Sequence, residues 1–181
     1  MEGEAVSYTK IILFKQGKMD RSIEFENSWG GAFRIWQSLF NTYVPKKSEH
    51  DSPLQDSQRV WDLVKRTDIP KSDRAVLAFT FDLFYVRQNN FEQFELDLVA
   101  FVKRFPVETG FQDHLPAWIK CFKEHAQVEA IGLYATSVGE NLWRRYKICE
   151  HCGNQTDEED LVPLSEGSEV YERLAKIESK D

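Results

Sequence analysis

The spacing of apolar residues changes several times along this chain, and each change marks an expected element. "YTKIILF" and "RSIEF" have strand length and strand composition, and Gly17 in the intervening "KQGKMD" suits a turn, so the chain predicts an N-terminal hairpin. In "NSWGGAFRIWQSLFNTYVP" the period becomes helical: Phe33, Trp36, Leu39, Phe40 and Tyr43 share one face, Asn27 or Ser28 is the expected cap, and Pro45 the stop. Pro53 is a suitable opening residue for a second helix with Val60, Trp61 and Val64 inward. From Ser72, "SDRAVLAFTFDLFYVR" is apolar nearly all round, which predicts a central, buried helix.

Asn89-Asn90 interrupts that run, and Asn90 with Gln93 has the form of a capping box for the next helix. Phe91, Phe94, Leu98, Phe101 and Phe105 then recur at helical spacing until Pro106. Two helices joined by so short a break are expected to lie antiparallel. Pro116 opens a shorter predicted helix through His125, with Leu115, Trp118, Ile119 and Phe122 inward. The period then shortens: "VEAIGLYATS" and "NLWRRYKIC" read as strands joined across Gly139. "NQTDEED" reads as a solvated loop. "SEVYERLAKIES" reads as a last helix, capped by Ser168, with Val170, Leu174 and Ile177 as its stripe and "LVPL" before it as a second apolar contact.

These elements predict an α+β fold. A small, mainly antiparallel sheet combines the N-terminal hairpin with the hairpin near 128–148, about five helices cover it, and an acidic C-terminal segment ends in a helix. The composition shift near residue 154 divides the chain into a globular domain over 1–153 and an acidic segment over 154–181.

Charge sharpens the picture once it is located. The formal net charge is −7, and residues 150–181 contain ten acids against three bases, so this segment carries the whole imbalance. A neutral body without a basic stripe argues against nucleic acid, whose backbone is bound by neutralising many phosphates. The acidic segment reads first as a solvated tail that aids solubility; the alternatives are that it binds something basic, as a protein partner, or mimics a nucleic acid. "MEGEAVSYTK" opens with acids rather than with a basic and then apolar leader, and "AVLAFTFDLFYV" is too short to span a bilayer and contains Asp82. The expected address is cytoplasmic, without membrane attachment. Three cysteines without regular spacing agree with a reducing compartment.

Candidate chemistry concentrates at Cys149-Glu150-His151-Cys152-Gly153. A C-x-x-C turn aims two thiolates at one ion, and the following Gly tolerates the backbone of such a knuckle. One knuckle is half of a tetrahedral site. Cys121 and His125, four apart on a predicted helix, share a face and supply the other half, giving a Cys₃His structural zinc set of Cys121, His125, Cys149 and Cys152. His151 or His114, or a second subunit, are alternative sources of a ligand. Without metal, Cys121 is a small core residue and His125 complements a helix C-terminus. A thiol–disulfide reading of C-x-H-C is disfavoured, because no helix is expected to start at Cys149.

Two weaker signals remain. The 27–32 turn, "NSWGGA", precedes a helix N-terminus where an anion could be held, without matching any phosphate-loop pattern. Asp82 and Thr80 interrupt the apolar run, and a buried carboxylate needs a partner that is either structural or catalytic. No nucleophile–base pair can be read, so whether the protein is an enzyme stays open. The leading expectation is a non-catalytic interaction or regulatory protein stabilised by structural zinc. The alternative is an enzyme acting on a small anionic substrate near the 27–32 turn.

Overall fold

The computed structural model describes residues 9–25, 31–45, 51–81, 83–105, 111–135, 143–148, 151–152 and 155–180. The expected α+β architecture is present as one five-stranded sheet with helices packed around it, beside a separate two-stranded ribbon. The hairpin forms where alternation and Gly17 place it. β1 (Thr9–Lys15) and β2 (Lys18–Phe25) pair antiparallel, and Gly17 at φ +72° takes the left-handed turn conformation that glycine adopts without a Cβ penalty. β1 also pairs antiparallel with β4 (Ala130–Ala135), β4 with β3 (Phe84–Arg87), and β3 lies parallel to the short β7 (Ser168–Glu169). The sheet order is β2-β1-β4-β3-β7.

The central strands are buried on both faces, and the two-residue period assigns each side chain to one of two cores. Ile11 and Leu13 of β1, Val86 of β3 and Ile131 and Leu133 of β4 face the larger core, which the helices complete. These are α1 (Gly31–Tyr43), α2 (Ser57–Leu63), α3 (Lys71–Phe79), α4 (Phe91–Arg104), α5 (Phe111–Glu124) and α6 (Val170–Glu178). Phe79 contributes heavily there, its ring lying 4.6 Å from that of Phe94 and 5.9 Å from that of Phe122. Ile12 and Phe14 face the smaller second core with Tyr85, Trp143, Val162 and Leu164.

Two features depart from the sequence reading. The run from Ser72 is not one helix: α3 ends at Phe79, and β3 begins at Phe84. An all-round apolar pattern suits either a buried helix or a strand buried on both faces, and local contacts decide here. The Thr80 hydroxyl donates to the Leu77 carbonyl (2.6 Å) and accepts the Trp36 indole N–H (2.7 Å), while Leu83 turns the chain at φ +59°. The second departure is the 128–148 hairpin. Its first strand, β4, enters the sheet, but β5 (Arg144–Ile148) leaves it and pairs antiparallel with β6 (Gln155–Leu161), the segment expected to be a loop.

Smaller corrections concern helix ends. α2 starts at Ser57 under an Asp56 cap rather than at Pro53, and α5 starts at Phe111 rather than at Pro116. Asn90 occupies the cap position of α4 without a side-chain cap bond; its amide donates to Glu169 instead (3.0 Å). Glu169, not Ser168, caps α6 by accepting the Glu172 N–H (2.8 Å). The expected cap at Asn27 or Ser28 lies outside the described residues.

The last helix docks on the body. Val170 and Leu174 are fully buried in the larger core, and three polar ties fix the helix along its length. Buried Glu169 accepts from the Arg87 N–H (3.3 Å) at the start, and Tyr171 donates its hydroxyl to Asp97 of α4 (2.7 Å). Glu178 at the end accepts from Arg74 (2.6 Å) and Lys71 (2.9 Å) of α3.

Candidate functional site

Cys121 in the last turn of α5 and His125 just past its end lie on one face, the His125 N–H still bonding to the Cys121 carbonyl (3.1 Å), as four-residue spacing allows. Cys121 Sγ lies 3.9 Å from His125 Nδ1, and the same nitrogen is 2.9 Å from the Cys121 carbonyl oxygen. A carbonyl only accepts, so in this arrangement Nδ1 carries the proton and Nε2 holds the lone pair available to a metal. The pair borders a cleft of about 200 Å³ formed with Ile23 of β2, Lys120 and Glu124. Burial pushes the Cys121 thiol up to about 11, and the Glu124 carboxylate adds to the shift. As a free side chain it is a neutral thiol at ordinary pH, poorly suited to nucleophilic work.

The other half of the proposed set lies at the turn of the β5–β6 ribbon. His151 and Cys152 are exposed there, and Cys149 lies outside the described residues. Among the described residues no group of three or more His, Cys, Asp or Glu side chains comes together as a metal site. Cys121 belongs to the helix-covered core, whereas Trp143 and Val162, at the root of the ribbon, belong to the core on the opposite face of the sheet. The structure thus joins Cys121 to His125 and does not describe their union with the knuckle.

The 27–32 turn is largely outside the described residues, but its Gly31 has a packing role. A Cβ there would lie 3.2 Å from Trp118 Cζ2, so glycine allows α1 to start against the α5 indole. Asp82 also lies outside the described residues. Among the described residues the fully buried carboxylate of the α3 region is Asp73, which forms an ion pair with Arg104 at the far end of α4. Burial holds its carboxyl above the usual range, and Arg104 opposes that shift. Antiparallel packing of α3 and α4 sets the start of one beside the end of the other. An acid in the first turn of one helix and a base in the last turn of the next was the sequence signal for this pair.

The excess negative charge can also be placed. Glu166 pairs with Arg145 (2.6 Å), Glu172 lies 4.0 Å from Arg87, Glu178 is held by Arg74 and Lys71, and Glu169 is a buried cap. Glu169, Glu172 and Glu178 are thus engaged with the body and Glu166 with β5, and the sequence also carries Asp157-Glu158-Glu159-Asp160 on β6. No helix among the described residues is long and apolar enough to cross a membrane. Comparison with family models, with curated proteins and with solved structures finds no match, so the functional reading rests on this geometry.

Proposed function

We propose that the protein is a non-catalytic interaction protein whose contact arm is the β5–β6 ribbon, with the arm's tip tied by structural zinc. The observation that carries this reading is the pairing of the ribbon: β5 and β6 hydrogen-bond to each other and form a sheet of their own. A two-stranded hairpin is marginal in water by itself. Trp143, Val162 and Leu164 anchor the root of this one, and a C-x-x-C knuckle at Cys149 and Cys152 would tie its tip. Cys121 and His125 are the proposed remaining ligands. The acids of β6 suit a basic protein segment, since the C-terminal helix has its own charges and apolar stripe committed to the body.

The test has a metal arm and a partner arm. Protein purified without chelator should carry about one equivalent of zinc, and Cys152→Ser and Cys121→Ser should each lose it. Hydrogen exchange around residues 144–161 should accelerate in the same variants. A metal-free protein with a protected ribbon would refute the zinc tie. For the partner, a lysine-rich peptide should bind the wild type and lose affinity when Asp157, Glu158, Glu159 and Asp160 become their amides. Equal affinity for both proteins would refute the contact arm.

A further inference from the structure

The outer face of α4 carries a row that the fold does not use. Phe91, Phe94, Leu98 and Phe101 point inward and are buried. Glu92, Leu96, Val99 and Lys103 are all exposed and follow one another at spacings of four, three and four residues, which sets them in a line along the helix. Leu96 is 58% and Val99 36% exposed, which puts two of the four exposed large hydrophobic residues among those described in one row. Neighbouring charges are committed: Glu95 pairs with Lys123 (3.6 Å) and Arg104 with Asp73. Glu92 and Lys103 have no ion-pair partner among the described residues.

The row is complementary to itself in reverse. We propose that it is a homodimer contact in which α4 packs antiparallel on α4 of a second copy. With a two-fold axis midway between Leu96 and Val99, Leu96 meets the partner's Val99 and Glu92 meets the partner's Lys103, each pair occurring twice. Alternating spacings of four and three are those of a coiled-coil seam, in which an antiparallel pair sets such positions opposite one another. A parallel pair would oppose Glu92 to Glu92 and Lys103 to Lys103, so charge selects the antiparallel arrangement. Small, half-buried Ala100 beside Val99 leaves room for the crossing. Residues 92–103 span about 18 Å of helix. Such a contact falls short of the roughly 1,200 Å² of a stable interface, so the dimer is weak and reversible.

Sedimentation velocity from about 10 μM to about 1 mM protein tests this, the range in which weak interfaces populate. The weight-average mass of the wild type should rise toward that of a dimer. Glu92→Lys or Lys103→Glu alone replaces two attractive pairs by two repulsive ones and should weaken association roughly tenfold. The double reversal should restore it to within about threefold of the wild type, because both attractions return with their signs exchanged. Leu96→Ser should weaken association without rescue. All these positions are exposed, and unchanged circular dichroism checks that the variants fold. A monomer at every concentration overturns the proposal, as does a dimer indifferent to Glu92→Lys or a double reversal that fails to restore association.

Discussion

Cys121 illustrates how surroundings set the chemistry of a residue. It is 4% exposed, and burial raises its thiol from the ordinary 9.0 to about 11. A thiol raised in the folded state favours folding while it stays protonated, and that contribution disappears as pH climbs through the folded value. In metal-free protein, stability should therefore fall between pH 9 and 11 by about 1.4 kcal/mol per unit on account of Cys121. Cys121→Ala should remove that part of the slope, and denaturation of both proteins across the window isolates it from the buried phenols. Equal slopes would mean that the thiol reaches solvent. The helical pairing of Cys121 with His125 was legible from spacing alone, but the shift was not, because it depends on what packs over α5. Asp82, the candidate that the apolar run offered, lies outside the described residues; the buried Asp73 was not singled out, because its burial depends on α4 bringing Arg104 to it.

At the scale of elements, helices with a one-sided apolar stripe were legible and segments with another pattern were not. α1, α4 and α6 follow their periods closely. β3 hid inside an apolar run that fits two structures, and β6 hid because Asp and Glu are poor strand formers. Its pairing with β5, from Arg144 opposite Leu161 to Ile148 opposite Gln155, overrides that low propensity. α6 allows its two sources of docking energy to be compared. Leu174 is fully buried, whereas Glu178 is 34% exposed beside Lys71 and Arg74. Leu174→Ala should cost about 2–5 kcal/mol, in the range for buried leucine. Glu178→Ala should cost roughly 1 kcal/mol, because water screens most of the pair even though Arg74 is buried. Urea denaturation of both variants decides, and a larger loss for Glu178→Ala would mean that ions rather than apolar burial hold the helix.

The whole molecule is a sheet with unequal cores on its two faces, and this inequality should govern how it opens. Five helices from the body and α6 complete one core; the other is closed by Trp143 and the few residues at the root of the ribbon. The Trp143 ring lies 4.7 Å from that of Phe14, above a floor that two glycines keep clear. A Cβ at Gly167 would lie 2.5 Å from Trp143 Cη2 and 2.6 Å from the Leu83 carbonyl oxygen, and one at Gly132 would be 3.4 Å from Trp143 Nε1. No periodicity announces a slot of this kind, because its parts come from four distant stretches of chain, around Phe14, Leu83, Gly132 to Trp143, and Gly167. Trp143→Ala should empty it at a cost of about 3–5 kcal/mol, while Gly167→Ala should crowd it at about 1–3 kcal/mol. Opposite in volume, both changes act on the same small core. Hydrogen exchange should therefore accelerate first in residues 144–161 and at the β3–β7 edge, while amides of β1 and β4, between the cores, remain the slowest. Uniform acceleration across the sheet would mean instead that the two cores open as a single unit and that the ribbon has no independent hinge at its root.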